Sequence, residues 1–323
     1  MLHRLGMSLI GMGFAALSQP ALAQNWFDPA PIAEPVNQGE VVSITPSIGY
    51  LRSSATENVY NPVSRSKISQ LDWNSDAITV GGRIAVRPLE NVTLRGSLWA
   101  AVSADGDMKD RDWLFGYRGP ESWSHQSLHP DTRVPKAWQG DVSLAYLVGQ
   151  RGDMSYAAIA GFRHYDVKYR AYGGSYVYSV YGFRDMAGSF NPAEMGIAYR
   201  QVWDTPYLGL GAYYRGTTLS LSTEIYGSPV ALVRDQDYHA LRNTLFVERF
   251  TPAAMIGANV AVEYKLTSAF SLVGRADYSR YAEAKGNTRI YDAASGAFYR
   301  IPKQSSGADS QSLNLSLGVK GKI

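Results

Sequence analysis

Two short acidic spellings stand out in this chain, Asp110-Arg111-Asp112 and Asp237-Tyr238-His239. In extended backbone, successive side chains point to opposite faces, so residues at i and i+2 point the same way. Asp110 and Asp112 then form an acidic pair, and Asp237 and His239 an acid–imidazole pair. If the fold faces one pair toward the other, the four groups could hold a water molecule and take its proton, which is hydrolase chemistry. Three aspartates and a histidine could also hold a divalent cation, since oxygen ligands with one imidazole suit hard or borderline metals. Each pair follows a run of strand-like alternation and is expected in a polar loop.

The elements that must position these pairs are strands. Val92, Leu94, Gly96, Leu98, Ala100 and Val102 alternate with Thr93, Arg95, Ser97 and Trp99. Ile256, Ala258, Val260, Val262 and Tyr264 alternate with Asn259, Ala261 and Glu263, and similar runs begin at Trp138 and Phe270. This period-2 pattern predicts about ten strands, from near 41–51 to near 308–323. The connections alternate in length. Arg87–Glu90, Gly149–Asp153, Arg215-Gly216 and Leu266–Ser268 read as tight turns, whereas 52–65, 104–136, 173–193, 230–241 and 287–307 read as long polar loops.

Composition points the same way. The chain has 22 Tyr, 7 Trp and 31 Gly but no Cys, and a hydrophobic fraction of 45%. The absence of cysteine rules out a disulfide framework and a thiol nucleophile. A net charge of +3 is too slight to argue for nucleic acid. Residues 1–23, with His3 and Arg4, an apolar Met7–Leu17 and Ala21-Leu22-Ala23, read as a bacterial secretory signal. Residues 24–40, with Pro29, Pro31 and Pro35, read as a flexible periplasmic leader, and 41–323 as one domain. Composition also fits a secreted sandwich, but short turns on one rim and long loops on the other favour a ten-stranded antiparallel transmembrane β-barrel. Its long loops are expected outside the cell and its short turns in the periplasm.

The chain resembles the omptin family of bacterial outer-membrane proteases. The matching stretches are Ser69-Gln70-Leu71-Asp72-Trp73, Asp110-Arg111-Asp112-Trp113, His129-Pro130-Asp131-Thr132, Gly173-Gly174-Ser175-Tyr176, Gly182-Phe183-Arg184-Asp185 with Gly188-Ser189-Phe190, and Gly286-Asn287-Thr288. They run in family order across nearly the whole mature chain. The resemblance implies an aspartic-type endopeptidase whose four catalytic residues are Asp110, Asp112, Asp237 and His239. His239 acts as general base, Asp237 orients its ring, and Asp110 with Asp112 holds the attacking water. It also implies a deep acidic pocket, matched here by Glu57 and Asp235, that takes Arg or Lys on the amino side of the scissile bond. The next subsite matches His125, Met108 and Ile197, where an acid in some members favours a second basic residue. Weaker dibasic preference is therefore expected. Ser127 lacks an orienting acid, and His129 reads as a loop support.

No metal or organic cofactor is implied, but omptins generally need lipopolysaccharide bound by basic residues on the outer wall. Two arginines of that motif match Asp166 and Val202 here, with Lys168, Arg170 and Arg200 nearby. Lipopolysaccharide dependence is thus expected to be lost or met differently. The implied substrates are cationic peptides or exposed surface and host proteins. The alternative reading is a surface adhesin or invasin whose loops bind host proteins, with proteolysis secondary.

Overall fold

The computed structural model describes residues 42–322. The expected export signal and leader lie outside them. Thirteen strands are present: β1 (Val42–Tyr60), β2 (Lys67–Leu89), β3 (Val92–Asp112), β4 (His125–Arg151), β5 (Met154–Tyr172), β6 (Ser175–Tyr178), β7 (Met186–Ser189), β8 (Met195–Arg215), β9 (Leu219–His239), β10 (Thr244–Phe250), β11 (Ala253–Lys265), β12 (Phe270–Asp292) and β13 (Ala297–Lys322). The only helical pieces among the described residues are two 3-10 turns, Pro120–Ser122 and Ala240–Arg242. Among the described residues no helix is long and apolar enough to cross a membrane.

All pairings are antiparallel, and they close on themselves. β1 to β5 pair in sequence, β5 pairs with β8, and β8 with β9. β9 pairs with both β10 and β11, both of these pair with β12, and β13 joins β12 to β1. β10 and β11 are one strand interrupted at Thr251-Pro252, where proline has no N–H to offer the ladder. The β6/β7 hairpin hangs from the upper end of β4. Counting β10 with β11 and setting the hairpin aside leaves a ring of ten members, the number that the alternation predicts.

Strand length is where the sequence reading needs correction. The stretches 52–60, 104–112, 125–136, 230–239, 287–292 and 297–307 were expected as loop but are strand, and 173–193 contains β6 and β7. These segments carry polar and apolar residues mixed on their outer face, among them Leu128, Val230, Leu232 and Phe298, so no clean alternation marks them when one strand is viewed alone. In the closed ring the neighbouring strands extend alongside, so most of these backbone groups still find ladder partners, with irregularities such as that between Gly286 and Thr288. The inner faces also carry large aromatic side chains. Trp73 stacks on Tyr199, with ring centroids 5.4 Å apart and 10° between planes, and Trp203 lies 4.2 Å from Tyr281. Leu71, Met108, Tyr165, Val167 and Tyr169 join them in the buried core. Asp110, Asp112, Asp237 and His239 therefore stand on strands, not in loops.

The outer wall divides into two zones. Near the tight turns its exposed residues are apolar, among them Ile48, Val80, Leu98, Val142, Leu210, Ile225, Val260 and Leu315. In the half nearer the acidic pairs the corresponding positions include Arg52, Asp76, Asp105, Arg170, Arg200 and Arg234.

Candidate active site

Asp110 and Asp112 end β3, and strand alternation turns both into the ring. Arg111 between them points outward, pairs with Asp72 at 2.8 Å and lies over Trp113. Ser69, the cross-strand partner of Asp112, donates to Asp110 Oδ1 at 3.3 Å. Burial raises both carboxyls. For Asp110 the charges of Asp112 and Asp237 add to the rise, and Ser69 and Arg242 offset part of it. For Asp112 the offsets come from Ser69, His125, Arg242 and His239. Two neighbouring carboxyls of this kind titrate as a pair.

Asp237 and His239 end β9, across the ring interior. His239 Nε2 lies 2.5 Å from Asp237 Oδ2, and Arg242 Nη2 lies 2.7 Å from His239 Nδ1. A guanidinium can only donate, so Nδ1 accepts and the ring proton sits on Nε2, donated to Asp237. Phe246 packs edge-on against the imidazole at 5.2 Å. A short β9–β10 connection, turning through Asn243 in the left-handed region, keeps Arg242 close to His239. β3 and β9 stand on opposite arcs of the ring, both dyads turn inward, and the electrostatic influence of Asp237 on Asp110 and of His239 on Asp112 accords with their facing each other across the interior.

Beneath them lie more acids. Glu57 on β1 and Asp235 on β9 are 2% and 3% exposed. Asp235 Oδ2 accepts from Tyr199 Oη at 2.9 Å, and burial pushes its carboxyl up to about 7. Glu57 is raised well above the usual carboxylate range by burial, then by Asp237, Glu248, Asp235 and Asp110. Met108 is buried two residues before Asp110 on the same face. Ile197 is the cross-strand partner of His239, and His125 that of Asp112, with its Nδ1 3.0 Å from Ser124 Oγ. Every residue singled out from the sequence for catalysis or substrate binding thus lies at this mouth. His129 bonds Ser127 through Nε2 at 2.9 Å and stacks on Phe190.

Four contributors escaped the sequence reading. Tyr199, Arg242 and Glu248 have no spelling of their own, and Ser69 stands in a matching stretch without a role of its own. Strand register places Ser69 opposite Asp112 and Glu248 opposite Asp235, and side-chain hydrogen bonds bring in Tyr199 and Arg242. A usable signal existed for Glu248, the charged member of the inward alternation Thr244, Phe246, Glu248.

Residues 38–323 match the sequence profile of the omptin family. This chain belongs to the omptin family. It is 30% identical to outer membrane protease IcsP of Shigella flexneri, over 86% of this chain and 89% of that protein. It is 27% identical to the plasminogen activator of Yersinia pestis, over 86% and 88% respectively. Its fold is similar to the crystal structure of outer membrane protease OmpT from Escherichia coli. The TM-score is 0.83 at 26% identity, covering 88% of this chain and 97% of that one. This omptin is accordingly an outer-membrane endopeptidase.

Proposed function

We propose that this omptin cleaves exposed peptides and proteins after Arg or Lys, with a water activated between the two dyads. The observation that carries this reading is the imidazole that gives Nε2–H to Asp237 and leaves Nδ1 as an acceptor beside the Asp110/Asp112 pair. When the Arg242 guanidinium withdraws, a water held by Asp110 and Asp112 can give its proton to Nδ1. Its oxygen then attacks the peptide carbonyl. Asp237 stabilises the imidazolium that forms, and His239 returns the proton to the departing amine. No acyl-enzyme forms, and the carboxylates of the water-activating pair make it an aspartic-type hydrolase.

Glu57 and Asp235 supply the basic-residue preference, because a buried cation needs carboxylates to offset its desolvation. Met108, Ile197 and His125 form the next subsite, where the lack of an acid weakens preference for a second basic residue. The two-zone outer wall supports a transmembrane barrel whose apolar belt sits in lipid and whose site-bearing end projects outside the cell.

On that projecting end Asp166 is the buried partner of two cations. Arg200 donates to it at 2.7 and 2.9 Å, and Lys136 at 2.5 Å. These ion pairs hold its carboxyl at about 2. An internal carboxylate thus occupies cations that could otherwise bind a lipid phosphate, and Val202 is its cross-strand neighbour. We therefore expect activity with little dependence on lipopolysaccharide.

The test is cleavage of peptides bearing single and paired Arg or Lys by refolded wild type and His239→Ala, with and without lipopolysaccharide and a chelator. Cleavage after single basic residues, lost in the variant and indifferent to chelator, is the expected result. Cleavage elsewhere, or activity surviving in His239→Ala, would overturn the reading.

A further inference from the structure

The resemblance assigns two acids to the specificity pocket, but a third buried acid, Glu248, stands beside them. Glu248 on β10 is 1% exposed and is the cross-strand partner of Asp235. Its Oε1 accepts from Thr288 Oγ1 at 2.7 Å. No donor from the described residues reaches Glu248 Oε2, Asp235 Oδ1 or Glu57 Oε2. Three buried carboxyls on two walls therefore hold oxygens that no neighbouring cation or amide satisfies. Acids buried in this way are normally paired.

We propose that Glu248 is a third specificity acid, and that Glu57, Asp235 and Glu248 together make the pocket select the guanidinium of arginine over the ammonium of lysine. This rests on the reading above that the pocket takes the basic side chain. Glu57 belongs to β1, whereas Asp235 and Glu248 belong to β9 and β10 on another arc of the ring. A guanidinium presents five N–H groups in a planar fork and can serve carboxylates on two of its edges at once. An ammonium presents three donors from one point and satisfies separated walls less completely.

Glu248 and Asp235 stand side by side across the β9–β10 ladder, and burial together with the charge of Asp235 raises the Glu248 carboxyl well above its usual range, so the crowded pair retains a proton. A permanent cation entering the pocket makes that proton unnecessary, and it passes to bulk water. Binding of the basic side chain is then linked to proton release and tightens as pH rises. A purely structural Glu248, bracing Thr288, predicts neither the arginine preference nor the linkage.

The experiment compares two peptides identical except for Arg or Lys before the scissile bond, from about pH 5.5 to about 8.5, across the range of the raised carboxyls. Wild type, Glu248→Gln and Glu248→Ala are compared, with folding checked by the heat-dependent mobility shift of a closed β-structure. Wild type should favour Arg, with KM falling as pH rises. Both variants should lose mainly on the Arg peptide and mainly in KM. The Arg/Lys ratio should narrow about tenfold, or about 1.4 kcal/mol, and the pH dependence of KM should flatten. Folded variants that keep the wild-type ratio and pH dependence, or lose kcat equally on both peptides, overturn the proposal. Should neither variant fold, wild type alone decides: argininamide must inhibit more strongly than lysinamide, increasingly so with pH, and equal inhibition overturns the idea. Wild type that cleaves neither peptide refutes the basic-pocket reading instead.

Discussion

Two groups of buried charges share one ring interior, and they are built oppositely. Inside the apolar belt, acids meet cations. Arg95 pairs with Glu224 at 2.5 Å, Arg163 reaches Asp141 at 3.1 Å and Asp277 at 3.2 Å, and Lys320 reaches Glu263 at 3.2 Å. Tyr207 donates to Asp141, and Arg163 donates to Tyr226 Oη. At the mouth, Glu57, Asp235, Asp237 and Glu248 are equally buried, yet each keeps an oxygen without a donor from the described residues. Burying unpaired carboxyls is costly, so the mouth is the strained part of an otherwise neutralised interior. The belt charges fill and hold the ring. On the reading proposed above, the mouth charges would be answered by a substrate cation and a water.

This contrast is broken most directly at the mouth itself. His239→Ala or Asp112→Asn should lower kcat by roughly 10²–10⁴, the usual contribution of a positioned proton acceptor, while thermal stability stays near that of wild type. An equal loss of folded protein would mean that the mouth acids are structural like those below. The reciprocal experiment is Arg163→Met, which strands Asp141 and Asp277. Removing one partner of a buried pair costs about 3–5 kcal/mol. The denaturation midpoint should fall accordingly, with turnover per folded molecule unchanged.

Stability against pH sharpens the comparison further. Glu57, Asp235 and Glu248 have folded-state values raised above their unfolded ones, Asp235 to about 7. Raised acids bind protons more readily when folded, so their contribution is fully present below about pH 4 and is lost as pH rises through about 7. The melting temperature should therefore be a few degrees higher near pH 5 than near pH 8, and Glu57→Gln should flatten the difference. A melting temperature that rises steadily over this range would show that the mouth acids are paired after all.

The sequence carried the ring and the site unequally. Period-2 alternation at 92–102 and 256–264 identified strands and their count, because one face meets apolar surroundings and the other does not. Above the belt both faces are polar or mixed, the contrast disappears, and β1, β3 and β9 were cut short by roughly ten residues each. The dyads remained legible because i, i+2 spacing survives whether a segment is called loop or strand. Glu248 did not, since its meaning depends on which residue of β9 it faces, and register across Arg242 and Asn243 has no local spelling.

The smallest effect concerns the one arginine that answers the mouth acids. Arg242 follows His239 by three residues, places Nη2 at 2.7 Å from its Nδ1, and pulls the Asp110 and Asp112 carboxyls downward against burial. Arg242 is solvent-exposed, so its influence is screened by salt in a way the belt pairs are not. Arg242→Gln removes a lowering influence on both acids, which must then titrate at higher pH. The acid limb of kcat/KM should move upward by less than about one unit. Raising salt should move the wild-type limb the same way and leave the variant's almost unchanged. If the limb stays put in the variant, Arg242 only rests over His239 and does not tune the titration of the Asp110/Asp112 pair.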